Sequence, residues 1–272
     1  MRFAASVLLV LSGTAPALAG ATAWQELGPD ARVRLITSDR LNEDGTTLAA
    51  IELDMPQNMK TYWRVPGETG IPTQLDLAGS SGIASHVFHW PHPQIEKLGG
   101  YTDFVYYGPL VIPFELEVDD PPAELVASLL MGICSDICIP ATAEFRLPLD
   151  FDNADAGQEI RISQALAETP ASWSGPGEPV GQPIFDSAEG LLWVPIDPAI
   201  VSPQSVIVDA SYSGYLFGAP QKSQQEGLVS LPLLPSRDNG VGLAGAAVTM
   251  SFMTAEGPYE VARTVGLAPG AE

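Results

Sequence analysis

Cysteine is almost missing from this chain: its 272 residues hold two, so at most one disulfide can form. Histidine is nearly as scarce, at three. Basic side chains number twelve against 33 acidic ones, a formal net charge of −21. That balance excludes nucleic acid and anionic membrane surfaces as partners. Beyond the N-terminal stretch no run approaches 18 unbroken apolar residues, so direct membrane insertion is not expected. Also lacking are a G-x-S-x-G elbow, a phosphate-binding loop and a dinucleotide fingerprint, and the carboxylates show no paired acid–base pattern. Hydrolase and nucleotide chemistry lose their support, and no cofactor is called for.

What is present begins with a leader-like N-terminus. Arg2 precedes the apolar run Phe3 to Leu11, and the stretch closes on Ala17-Leu18-Ala19. This order is that of a secretory signal peptide cut after Ala19, which places the mature chain in an oxidising compartment, the periplasm of a Gram-negative bacterium. Proline (25) and glycine (26) are spread without a period among 46% apolar residues, the composition of short strands joined by tight turns. Alternating runs support this: Thr47 to Met55, Phe104 to Val118, Glu144 to Phe151, and later Leu191 to Ile196, Ser205 to Asp209, Gly227 to Leu234, Ala247 to Met253 and Tyr259 to Thr264. Only Asp155 to Glu168 reads as a helix, and the Gly/Pro-rich tract Ser174 to Pro183 follows it. The expected fold is all-β, two immunoglobulin-like β-sandwich domains in series with a short helical linker. The expected boundaries are a signal peptide over 1–19, a first domain over 20–152, helix and linker over 153–183, and a second domain over 184–272.

Both cysteines fall in Met131-Gly132-Ile133-Cys134-Ser135-Asp136-Ile137-Cys138-Ile139-Pro140. An isolated near pair in an oxidising compartment forms a disulfide. As a staple it contributes only about 2 kcal/mol, because it closes a short ring, whereas strained small rings are labile and suit exchange. The spacing is C-x3-C, not the C-x-x-C of a thioredoxin-type site, and Asp136 disfavours a thiolate beside it. The pair is therefore suited to being attacked as a disulfide by an activated partner thiol.

The run Gly132 to Pro140, followed by Ala143-Glu144-Phe145-Arg146-Leu147, resembles the redox loop of DsbD-type thiol:disulfide interchange proteins. Thr61-Tyr62-Trp63-Arg64-Val65-Pro66-Gly67-Glu68-Thr69-Gly70-Ile71-Pro72, Trp90-Pro91, and Gly99-Gly100-Tyr101 leading into Asp103 to Gly108 agree with it. Gly214 to Pro220 is similar to the second β domain of the ScsB-like variant, which is linked to suppression of copper sensitivity. The resemblance implies an immunoglobulin-like redox domain with Cys134 and Cys138 as the couple, and favours Cys138 for the mixed disulfide. It also implies a mobile aromatic cap at Phe104, Tyr106 and Tyr107, with Tyr62 and Trp63 in the opposite wall. The implied partners are a membrane thiol reductant conduit of the CcdA or DsbD-beta kind and exported thioredoxin-like or client proteins.

His86, His89 and His92 form one cluster, HVFHWPH. Imidazoles so close together can hold copper or zinc. On a strand, however, residues 86 and 89 face opposite ways, and two prolines break the run, so a metal site is not favoured. The alternative to exchange is a non-enzymatic interaction or copper-handling module in which the disulfide is structural.

Overall fold

The structure, a computed structural model, describes residues 20–236 and 238–268; the expected leader lies outside them. The first sandwich is built from β1 (Gln25–Gly28), β2 (Ala31–Thr37), β3 (Thr46–Asp54), β4 (Lys60–Gly67), β5 (Gln74–Asp76), β6 (Ile83–Phe88), β7 (Gln94–Leu98), β8 (Tyr101–Tyr107), β9 (Leu110–Val118), β10 (Glu124–Cys134) and β11 (Cys138–Pro148). One sheet has the order β1-β2-β3-β9-β6. The other has the order β11-β10-β4-β8-β7, with β5 on β10. Alternation sends Leu35, Ile51, Ile112 and Phe114 inward from the first sheet, and Trp63, Phe104, Leu129, Met131 and Ile133 from the second; all are buried in one core.

The run Phe104 to Val118, read from the sequence as one strand, is two. Gly108, at φ +72°, and Pro109 interrupt it, and the chain crosses there from one sheet to the other. A left-handed residue followed by proline ends ladder pairing, and it lets one continuous apolar pattern serve both layers.

Helix α1 (Ala156–Leu166) is capped by Asp155, whose carboxylate accepts from the backbone N–H groups of Gly157 and Gln158. Its buried Ile162 packs with Ala21, Ile36 and Ala50 on the outside of the first sheet. Arg161 and Arg40 tie it further, through Glu52 and Glu159.

The second sandwich comprises β12 (Ala171–Ser172), β13 (Ile184–Asp186), β14 (Leu191–Pro195), β15 (Ile207–Ala210), β16 (Tyr215–Leu216), β17 (Gln221–Lys222), β18 (Leu228–Pro232), β19 (Ala247–Thr254), β20 (Gly257–Thr264) and β21 (Gly266–Leu267). Its sheets run β12-β20-β19-β15-β16 and β17-β18-β14-β13-β21. The stretch read as linker is partly built into this unit: β12 pairs with β20, and Val180 is fully buried in its core. The fold is all-β and immunoglobulin-like, with one helix between two sandwiches.

The two sandwiches meet through named side chains. Arg64 of β4 pairs with Asp209 of β15 at 2.6 Å and reaches Glu260 of β20 at 3.8 Å. Ile207 joins the core of the first sandwich. The His92 backbone N–H donates to the Glu168 carbonyl.

Candidate redox site

The hairpin β10–β11 sets the two cysteines directly opposite one another, at the last of eleven register pairs. The Cα atoms are 4.0 Å apart and the sulfurs are bonded. Ser135, Asp136 and Ile137 form the exposed connection. Cys134 is fully buried, while Cys138 belongs to the exposed run. The disulfide is therefore two-faced, joining a buried residue to an exposed one.

Period two decides what surrounds it. On β10, Met131 and Ile133 point to the core, so Gly132 and Cys134 point to the other face of the sheet. Cys134 pairs with Lys60 on β4, and Lys60 pairs with Tyr107 on β8. The face shared with Cys134 thus carries Lys60 and Tyr62 from β4, Val105 and Tyr107 from β8, and Glu96 from β7. Tyr62, Val105 and Cys134 form a small buried apolar cluster with Tyr107 against it.

Tyr62 is the central wall residue. Its hydroxyl lies 3.0 Å from the sulfur of Cys134 and 3.1 Å from that of Cys138. Its ring is held between two glycines. A Cβ on Gly70 would stand 2.4 Å from one ring edge, and a Cβ on Gly132 would stand 2.9 Å from the other. The loop after β4 brings Gly70 over the ring, and Asp103 anchors that loop by accepting from the Thr69 backbone N–H at 2.9 Å and from its hydroxyl. Glu68 accepts from the Thr102 backbone N–H at 2.7 Å. Gly67, at φ +92° and crowded against Asp103, makes the turn possible. Burial, and then the nearby Asp103 carboxylate, raise the Tyr62 pKa, so the phenol keeps its proton and can donate to sulfur.

Beside it, Lys60 and Tyr107 both donate to Glu96, the lysine to one carboxylate oxygen and the phenol to the other. Burial acts to raise the Glu96 pKa, but the hydrogen bonds from Lys60 and Tyr107 outweigh it and hold the carboxyl below its usual range. The same bond to Glu96, with burial, pushes Tyr107 up to about 12.

Of the five aromatics assigned to cap and wall, the structure brings two to the sulfurs, Tyr62 and Tyr107. Phe104, Tyr106 and Trp63 are on the core side. Trp63 and Phe104 meet edge to face at 5.8 Å, and the Tyr106 hydroxyl donates to the Pro91 carbonyl at 2.6 Å. Lys60, Gly70, Glu96, Asp103 and Gly132 were not singled out from the sequence. Gly70, Asp103 and Gly132 lay inside quoted motifs, but nothing in one sequence showed that the glycines flank a ring or that Asp103 anchors the loop over it. The three histidines are not brought together on one site. His86 sits edge-on to Phe88 and Phe114, with its pKa lowered by burial. His92 lies against Ser205 of the second sandwich, its pKa lowered to about 4 by burial. Among the described residues no three His, Cys, Asp or Glu side chains are grouped to hold a metal ion, and no helix is long and apolar enough to cross a membrane.

An immunoglobulin-like sandwich that places a two-faced disulfide at a hairpin end, under a tyrosine hydroxyl, defines a thiol–disulfide exchange module. Comparison with known families makes this specific. Residues 32–150 match the family model described as "Thiol:disulfide interchange protein DsbD, N-terminal", so the first sandwich is similar to that domain. The N-terminal periplasmic domain of ScsB from Proteus mirabilis is similar in structure, with TM-score 0.73 and 22% identity, covering 92% of this chain and 100% of that one. Its likeness thus extends the fold through the second sandwich. A titin fragment and the mouse nectin-like molecule 4 ectodomain are 9% and 11% identical. They cover 84% and 88% of this chain, and 93% and 65% of theirs, but their TM-scores of 0.18 carry no weight. Comparison with curated proteins gave no match.

Proposed function

We propose that the chain works in the periplasm as a relay, taking reducing equivalents from a membrane thiol conduit and passing them to exported thioredoxin-like or client proteins. The leader over 1–19 directs export. The first sandwich is the redox domain, and the second is its companion. The observation that carries the reading is the split environment of the disulfide: Cys138 at the surface, Cys134 buried beneath the Tyr62 hydroxyl.

That arrangement sorts the sulfurs by role. A thiolate of the reduced partner attacks the sulfur of Cys138. The S–S bond breaks, and Cys134 departs as a thiolate that accepts the Tyr62 hydrogen bond. The partner's second thiolate then attacks its own sulfur in the mixed disulfide and releases Cys138. Two electrons have moved to this chain, the partner has become a disulfide, and both thiolates take protons from solvent. Delivery to a client disulfide runs the same steps backwards, with Cys138 as nucleophile and Cys134 resolving. Tyr107, fixed by Glu96 on the disulfide's face, is the aromatic group placed to shield the sulfurs from stray oxidants.

Two measurements test this. The Cys134–Cys138 potential, titrated against glutathione or dithiothreitol, is expected above about −250 mV, in the range of exchange proteins. A value below about −300 mV marks a resistant structural bridge, and the interaction-module reading then takes its place. The Cys134→Ser variant, which leaves Cys138 without a resolving partner, is expected to accumulate a mixed disulfide with a thioredoxin-like protein. Cys138→Ser is expected not to. Equal trapping by both variants contradicts the assignment of roles.

A further inference from the structure

On the helix-covered side of the first sandwich, Asp150 and Asp155 lie near enough to Asp39 to oppose its ionisation. Asp39 follows β2, Asp150 follows β11, and Asp155 caps α1. Asp39 is 1% exposed, and among the described residues neither of its carboxylate oxygens makes a well-formed hydrogen bond, although the Asp150 backbone and the Thr37 hydroxyl lie near it. It is held there by its own backbone, at φ +48°, with its N–H on the Thr37 hydroxyl. The charges around it are of its own sign. Asp150 and Asp155 both oppose its ionisation, and burial, the largest cause, pushes its pKa up to about 6 against the partial relief of the nearby Asp150 backbone and Thr37 hydroxyl. The adjacent Arg40 is turned to Glu159, at 2.9 Å. A buried carboxylate with no counter-charge is costly, and so this corner lacks a cation.

Gly20 lies in this corner against Thr37 and Asp155. Its carbonyl accepts from the Thr37 backbone N–H at 2.8 Å, and Ala21 forms a bridge with Ile36 on β2. The Asp155 backbone N–H donates to the Ser38 carbonyl at 3.1 Å, which brings the helix cap against the same turn. Gly20 has φ +71°, and a Cβ built on it would lie 2.8 Å from the Thr37 carbonyl oxygen, 2.9 Å from Cβ of Asp155 and 3.3 Å from its Oδ2. Only glycine fits. The other oxygen of Asp155, Oδ1, is taken by Gly157 and Gln158, leaving Oδ2 as the oxygen turned to Gly20. The backbone nitrogen of Gly20 is bonded to the same Cα as that imagined Cβ, which bounds its distance from the Asp155 Oδ2 to about 6 Å.

That nitrogen is an amide in the precursor and belongs to the bond expected to be cut after Ala19. We infer that signal-peptide cleavage supplies the missing cation: the new α-ammonium of Gly20 is the counter-charge of the Asp39–Asp155 corner and locks the mature N-terminus into the fold. A signal peptidase adds water across the Ala19–Gly20 peptide bond. The carboxylate leaves with the leader, the ammonium stays on Gly20, and no other reactant is needed. The inference rests on the leader reading but not on the redox one, since no atom of the disulfide takes part.

The test compares the full mature chain with a free Gly20 amine, released from a cleavable fusion, against the same chain retaining Ala19 or with the Gly20 amine acetylated. An α-amine ordinarily titrates near 7.7–8.0; by NMR the free Gly20 amine is expected at least about one unit higher, and the free-amine protein is expected to melt at a higher temperature at pH 7 than either blocked form. Asp39→Asn is expected to shrink the difference between free and blocked forms. Because that comparison is made within each background, it stands even if the substitution changes stability by itself. An amine titrating at its ordinary value, or equal melting of free and blocked chains, overturns the inference. Intact mass of the exported protein is expected to place the first residue at Gly20, and any other first residue also overturns it. Potential and trapping measured on the free and blocked proteins report on the relay separately, so either reading can fail while the other stands.

Discussion

Removing a single oxygen, in Tyr62→Phe, isolates what the tyrosine does for the sulfurs. The ring stays packed between Gly70 and Gly132, and the hydroxyl lies within hydrogen-bond reach of both sulfurs, with the Thr69 side chain also beside it. Sulfur in a disulfide is a weak acceptor, so the fold should be little affected, by less than about 1 kcal/mol. The reduced state is different. A hydrogen bond to a charged group is worth about 1.5–3 kcal/mol, and one pKa unit corresponds to about 1.36 kcal/mol. Loss of the hydroxyl removes stabilisation of the Cys134 thiolate, so its thiol pKa should rise by about one to two units. At a pH below that pKa the lost bond is to a neutral thiol, worth about 0.5–1.5 kcal/mol. For a two-electron couple this lowers the potential by about 10–30 mV. The assays are thiolate absorbance against pH on the reduced protein, and equilibration with dithiothreitol. An unchanged thiol pKa and potential in a folded Tyr62→Phe protein would refute the reasoning, and with it the placing of Cys134 as leaving group.

Other substitutions probe the surrounding structure. Gly132→Ala puts a methyl 2.9 Å from the Tyr62 ring and 3.0 Å from Cβ of Ile71, so it should cost about 1–3 kcal/mol in a denaturant melt and shift the potential in the same direction as Tyr62→Phe. Arg64→Ala removes the 2.6 Å pair with Asp209. Asp209 keeps its bonds from Ser211, and the expected loss is about 1.5–3 kcal/mol; an unchanged midpoint would show that the sandwiches do not depend on this pair. His92 titrates near 4 in the folded chain, against its ordinary 6.5, because burial disfavours the imidazolium. Below pH 6.5 the unfolded chain binds the proton first, so stability should be complete above that pH and decline as pH falls from 6.5 towards 4. His92→Gln should flatten that slope.

The alternation of Glu144 to Phe151 was legible because β11 has one face to solvent and one to the core. β4 and β10 are covered on both sides near the site, so Lys60 to Gly67 and Leu129 to Cys134 carry no clean period two. The sequence showed that Phe104 and Tyr106 share a face opposite Val105 and Tyr107, but not which of the two faces is core. That depended on β8 pairing between β4 and β7. The roles of Lys60, Glu96 and Asp103 were hidden for a related reason: they are ordinary charged residues until β4, β7 and β8 bring them to the face shared with Cys134. The disulfide itself was visible because two cysteines four apart, in a chain with no others, leave little to choose from.

The hairpin that carries Cys134 and Cys138 holds them by ten further register pairs, and the backbone register does not rely on the bond between the sulfurs. When that bond is cut, the two thiols remain neighbours, as two buttons stay aligned on a coat whose seams are sewn elsewhere. Gaining and losing two electrons then requires no refolding step. On the proposed relay, a partner is then expected to meet almost the same surface in either oxidation state, leaving potential to set the direction of exchange.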